Sequence, residues 1–354
     1  MNEFSSIVTE GWRHKFFVNG TEIEGIQSIS FNQPLQLETY NYLGLQPLVK
    51  YNGNKVASIN VKKQLFDNDV LLFYTGNSGI NGFILENNAL GLNNLGFTLG
   101  YLSNYSLTVN KNQPIEIDAN INIFGDYGQM DGNEYDLFNY QLDGISGAPP
   151  GYIFLGPIQP LTATQMRYIS GFNFNHILNT GDTFFASEGS LIWSGQVVSK
   201  TTLNFTSSTT RASSSTSTKL YKKKRNYQVS ANSIEISLDE FNTNRVNSFN
   251  LSVSRERVPV YCLGQSLPYE VNSSNPININ CSFEIEMDGY QFQKSKLYPT
   301  GFYRAQNLSL SVKDYISGTA IQDFNFNNLY LTAHDYSIDA DGTAKVQLNY
   351  VGQF

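Results

Sequence analysis

Apolar and polar residues alternate along most of this chain. The clearest run is Ile277, Ile279, Cys281, Phe283, Ile285 and Met287, with Asn278, Asn280, Ser282, Glu284 and Glu286 between them. A period of two puts one set on a buried face and the other on a polar face, which predicts a half-buried strand. Strands are expected near 29–37, 56–65, 70–74, 95–109 and 115–124, with others over 172–177 and 191–205. Asn19-Gly20 and Asp341-Gly342 supply two-residue hairpin turns, where Gly accepts positive φ. The residues that build long amphipathic helices are sparse, while β-branched and aromatic residues are plentiful. The expected fold class is all-β.

The pattern repeats. Ile26 to Gly44 aligns without a gap on Val246 to Gly264. Identities are few (Ser28/Ser248, Leu43/Leu263, Gly44/Gly264), but Ile29 and Phe31 fall on Phe249 and Leu251. After each Leu-Gly come a polar loop, shorter in the early copy, and a second alternating strand. Each copy then closes on a hairpin, and Ala119, Ile121, Ile123 and Gly125 align on Val346, Leu348, Tyr350 and Gly352. Three elements in one order predict two copies of one fold, hence an assembly protein before an enzyme. The expected organisation is two tandem β-sandwich or partial-barrel repeats, at 1–128 and 226–354. A β-rich, loop-rich segment, 129–225, lies between them as an inserted domain, a linker or a surface decoration.

Residues 206–218 are almost all Ser and Thr and lead into the one dense basic cluster, Lys219 to Arg225. Such a stretch buries little apolar surface, so a flexible loop is expected. A solvated loop edge is the plain reading. The functional one is an inter-subunit arm made by Arg211, Lys219, Lys222, Lys223, Lys224 and Arg225.

Composition narrows the function. Charged residues make up only 15% of the chain and aromatics 14%, with a formal net charge of −7. A weakly charged, Asn- and Ser-rich surface suits packing against neighbours, and the acidic balance argues against a dedicated nucleic-acid binder. No secretory leader or apolar membrane span is visible. Cys262 and Cys281 fall in adjacent expected strands and read as reduced. His14, His176 and His334 are far apart, so neither metal nor cofactor is expected. Asp126, Asp131, Glu134 and Asp136 fit no standard calcium loop. No nucleophile elbow or phosphate loop occurs, and no carboxylate pair stands out, so an enzyme is not expected.

The opening Phe16 to Ser30 (Phe-x-x-Asn-Gly-x-x-Ile-x-Gly-Ile-Gln-Ser-Ile-Ser), the strand into Leu43-Gly44 and the closing hairpin at Tyr350 to Gly352 resemble the tail tube (major tail) proteins of long-tailed bacteriophages. Val246 to Arg257 is similar. The resemblance covers the two repeats and not 129–245. It implies a structural virion protein of the phage tail, made in the host cytoplasm. Its inner strands would join those of neighbours around a lumen that DNA crosses transiently and without sequence specificity. Two folds per chain imply a trimeric ring with pseudo-sixfold symmetry, stacked into a tube, with tape-measure and tail-tip proteins as partners and no membrane. The candidate lumen-facing acids are Glu116, Asp118, Glu284 and Glu286. The alternatives are a tail-tip or connector ring and a carbohydrate-binding adhesin, with a hydrolase of dispersed carboxylates behind them.

Overall fold

In the computed structural model, the described residues are 14–34, 37–41, 48–51, 57–67, 69–76, 79–86, 95–110, 113–129, 151–162, 164–168, 178–188, 191–201, 204–209, 218–224, 234–238, 241–243, 245–263, 265, 267–273, 277–286, 305–313, 320–338 and 343–353. They are almost entirely strand, in antiparallel sheets, so the all-β expectation holds.

The first unit holds β1 (His14–Val18), β2 (Thr21–Glu22), β3 (Ile26–Asn32), β4 (Leu37–Tyr40), β5 (Leu48–Tyr51), β6 (Ala57–Gln64), α1 (Val70–Phe73), β7 (Ile80–Glu86), β8 (Leu95–Asn110), β9 (Glu116–Ile123) and β10 (Tyr127–Gln129). Asn19 (φ 45°) and Gly20 (φ 84°) make the hairpin turn between β1 and β2. The strand expected at 70–74 is a short helix instead. Val70-Leu-Leu-Phe has no polar alternation, and Asp69 caps it by accepting a hydrogen bond from the Leu71 amide at 3.3 Å.

The middle of the chain forms a closed barrel in the order β11-β12-β15-β14-β13-β16. Its strands are β11 (Tyr152–Pro160), β12 (Gln165–Tyr168), β13 (Thr183–Glu188), β14 (Leu191–Lys200), β15 (Asn204–Ser207) and β16 (Thr218–Lys223). Closure removes every open edge. Ile158, Met166, Phe184, Ala186, Val197, Phe205 and Leu220 are buried within it. The strand expected over 191–205 is interrupted between Lys200 and Asn204, and the strand expected at 172–177 lies outside the described residues.

The last unit holds β17 (Ile234–Leu238), β18 (Phe241–Thr243), β19 (Val246–Ser254), β20 (Arg257–Val260), β21 (Glu270–Ser273), β22 (Asn278–Glu286), β23 (Gln306–Lys313), β24 (Ala320–Ser337) and β25 (Lys345–Gln353). Its strands run β18-β17-β23-β24-β25-β22-β19 across the sheet, and those of the first unit run β2-β1-β7-β8-β9-β6-β3. Between β3 and β6 of the first unit comes a separate hairpin, β4-β5, and between β19 and β22 of the last unit comes another, β20-β21.

The irregularities coincide as well. Register skips at Ile26/Ser28 between β3 and β6, and at Val246/Ser248 between β19 and β22. It skips at Leu102/Asn104 between β8 and β9, and at Leu331/Ala333 between β24 and β25. It skips again at Ile80/Gly82 and at Gln306/Leu308. The bulged Ser103 hydroxyl donates to the Asn120 carbonyl at 3.1 Å, and the bulged Thr332 hydroxyl donates to the Asn349 carbonyl at 3.1 Å. Three residues before these two bulges' first flanks stand Leu99 (φ 48°) and Asn328 (φ 58°), both left-handed. Bulges and left-handed residues bend a strand. In β8 the bend also needs Gly100, whose Cβ would meet the Phe97 ring at 2.6 Å and Ile121 Cγ2 at 2.9 Å.

These registers correct the closing-hairpin alignment. Ile121 faces Ile59, and Tyr350 faces Cys281. Ile29 faces Val61 and Phe249 faces Phe283, which makes Ile59 and Cys281 counterparts. Ile117, Ala119 and Ile121 therefore match Val346, Leu348 and Tyr350, and Gly352 matches Ile123, not Gly125. Alternation looks the same after a slip of two, so pattern alone does not choose the register. Nor are the cysteines adjacent: Cys281 is buried in β22, Cys262 is exposed beyond β20, and both are free. Burial pushes the Cys281 thiol up to about 12.

Candidate functional site

The two units join strand to strand. β19 pairs with the C-terminal half of β8, with Leu251 opposite Leu107 and Val253 opposite Tyr105. Eight strands of the resulting fifteen-stranded sheet run in the order β3-β6-β9-β8-β19-β22-β25-β24. One face is core: Ile59, Val61, Leu107, Ile121, Phe249, Leu251, Phe283 and Leu348 are all buried. The other face is polar and carries Ser30, Asn60, Ser106, Asn120, Asn250, Ser282 and Asn349, half-buried or exposed.

All four sequence-predicted acids project from this polar face. Glu116 and Asp118 alternate with buried Ile117 and Ala119 on β9, and Glu284 and Glu286 flank buried Ile285 on β22. Lys62 lies 3.7 Å from Asp118, and Lys345 lies 3.1 Å from Glu284. Asp335, opposite Gln347, adds another exposed carboxylate. Carboxylates outnumber ammonium groups here, and the surface between them is amide and hydroxyl. Such a face attracts water and gives phosphate no concentrated positive charge to bind. Sequence reasoning missed Asp335, because its strand is set by the β24–β25 register and not by any local motif.

A clasp sits beside the β8–β19 joint. The Arg257 guanidinium, at the start of the β20-β21 hairpin, donates to the Leu102 carbonyl at 3.3 Å and to the Gly76 carbonyl, and stacks 5.3 Å from the Tyr101 ring centre. Burial first, and then neighbouring Arg255, lowers its pKa to about 10. Arg255 donates its backbone N–H to the Ser103 carbonyl at 2.9 Å.

The basic cluster is not the flexible loop that composition predicts. Lys219, Lys222 and Lys223 lie in barrel strand β16, between β11 and β13. Lys222 is 3% exposed and ion-paired to Asp67 and, at 2.9 Å, to Asp182. Lys224 reaches Glu22 at 3.4 Å. The Asn179 side-chain amide donates to Asp67 at 3.1 Å, and the Thr21 hydroxyl donates to the Leu155 carbonyl at 3.0 Å. These contacts fasten the barrel to the first unit, so Lys222 and Lys224 serve within the chain. Alternation predicts this for Lys222, since it follows Leu220 on the inward side of β16; a charge there needs buried carboxylates. Lys223 is exposed and Lys219 half-buried, while Arg211 and Arg225 lie outside the described residues.

Among the described residues no group of His, Cys, Asp and Glu is arranged to hold a metal ion, and no helix is long and apolar enough to cross a membrane. The sequence matches no protein-family model, and no curated protein matches it either.

Proposed function

We propose that this chain is a duplicated structural subunit that assembles with copies of itself into stacked rings, as the tail tube proteins of long-tailed phages do. One observation carries the reading. Two units of like topology already sit edge to edge in one chain and build a sheet with a continuous polar face. A chain that repeats this joint at its ends makes a ring, and a ring of three such chains has six units. Edge strands of a free subunit are a hazard, and ring closure removes them. The polar face then lines the lumen, where an acidic, amide-rich coat lets DNA pass without adhering. The inserted barrel lies on the first unit of each chain and marks each ring at three places.

The test is negative-stain electron microscopy of the purified chain, concentrated and left to assemble. Stacked rings with an open lumen are expected. Separate rings that never stack would favour a tail-tip or connector part. A chain that stays monomeric at all concentrations, also with assembly initiators of its own tail, contradicts the proposal.

A further inference from the structure

Among the described residues the two units differ most along β19 and β8 and their counterparts, β3 and the end of β24. β19 lies along β8, and there Tyr105, Leu107 and Val109 are 1%, 0% and 2% exposed. The counterpart of this stretch is the end of β24. Tyr336 and Ile338 take the places of Leu107 and Val109, and they are 45% and 63% exposed. The counterpart of β19 is β3. Phe249 and Leu251 are buried in β19, whereas Ile29 and Phe31 in β3 are only half-buried. Among the described residues β3 pairs on one side alone, with β6. Among the described residues, β3 and the part of β24 beyond its pairing with β23 thus match the two sides of the β8–β19 joint.

Resting on the ring reading above, we propose that β3 of one chain adds to the end of β24 of the next, in the register of the β8–β19 joint. Transferring that register residue by residue sets Phe31 opposite Tyr336, Ile29 opposite Ile338, Ser30 opposite Ser337 and Asn32 opposite Asp335. The occupant is a second copy of this chain. The argument is continuity with a joint the chain already makes: β8 and β24 share a bulge and a left-handed residue at the same place, and β19 and β3 share a bulge at the same place. Pairing sets two apolar residues of each strand on the core side, as at β8–β19. It also supplies main-chain hydrogen bonds to two sheet edges. Because the two surfaces differ, the contact is head to tail and closes only as a ring.

The test is a pair of cysteines. Directly opposed strand positions bring Cβ atoms to within about 5 Å, near disulfide reach, while diagonal ones stand about 7–8 Å apart. In a Cys262→Ser background, the double variant Ser30→Cys, Ser337→Cys is assembled and oxidised. Its gel is expected to shift from single chains to covalent species ending at three. Ser30→Cys with Asp335→Cys, one step out of register, is expected to stay single. In parallel, wild-type protein is compared before and after assembly by hydrogen exchange, which needs no variant. Slower exchange is expected at 28–33 and 333–338. Assemblies that form without the bond and without that protection overturn the joint and leave the ring reading standing. Bonding of the out-of-register pair instead overturns the register. Wild-type protein that forms no assembly overturns both.

Discussion

Single residues in this chain hold charge where the sheet pattern calls for grease. Lys63 stands on the core side of β6, where its counterpart in the second unit is Ile285, and it is balanced by Asp69 at 2.9 Å. Lys222 is balanced by Asp67 and Asp182. Burial pushes the Lys222 ammonium down, but the two carboxylates outweigh it, and the net shift is upward. Its contribution is therefore complete below the ordinary lysine value of 10.5 and is lost only as pH rises past the raised one. Removing one partner of a buried pair strands the others. Lys222→Met should destabilise the chain by about 3–5 kcal/mol, read by thermal or denaturant melting. It should also expose the joint between barrel and first unit to limited proteolysis. An unchanged melting curve would show that the pair carries no net weight. Leu99 tells the opposite story, because a left-handed leucine is strained at roughly 1 kcal/mol. Leu99→Gly should be neutral or stabilising, whereas Asn328→Leu should cost about that amount, and denaturant midpoints would show it.

Strands and hairpins were largely legible in the sequence, for a physical reason. A half-buried strand must alternate, and Ile26–Asn32 and Val246–Ser254 do so around a bulge at the same place. Their gapless alignment carries through to the paired registers. What escaped was anything set by partners far along the chain. The alignment of β9 with β25 slipped by two because alternation is blind to such a slip. The helix at Val70 is not legible from pattern, since a four-residue apolar run has no period and only the Asp69 cap marks it. The hairpin β1–β2 matches β17–β18 in place and pairing, which the alignment from Ile26 onward does not reach. The basic cluster was read as a loop because its Ser/Thr-rich approach outweighed the alternation of Thr218, Leu220 and Lys222, which face inward on β16. The polar positions of the four acids follow from alternation along β9 and β22. That the face continues across both units follows from the β8–β19 pairing, and no local pattern encodes it.

In the proposed ring, the whole molecule is a polymerisation unit with half of the symmetry built in. One joint forms within the chain, between strands that the backbone tethers, which would halve the number of separate subunits needed for a given ring. The barrel breaks the equivalence of the two units, so such a ring has a true threefold and only an approximate sixfold. In the proposed ring the polar face would line the path of DNA. Changing Glu116, Asp118, Glu284 and Glu286 together to Lys should leave assembly intact, because these side chains point away from the core. It should make the lumen bind DNA in a salt-dependent way, measured by retention of duplex at low and high salt. No change in retention would show that the face does not line the lumen.

The central claim is that two like units per chain close into one ring. End-on particles of assembled protein, averaged by electron microscopy without imposed symmetry, test it most directly. The expected image has six similar lobes around an open lumen and three further masses, one for each barrel. Any other number of lobes, or a filament that never closes around a lumen, would contradict it.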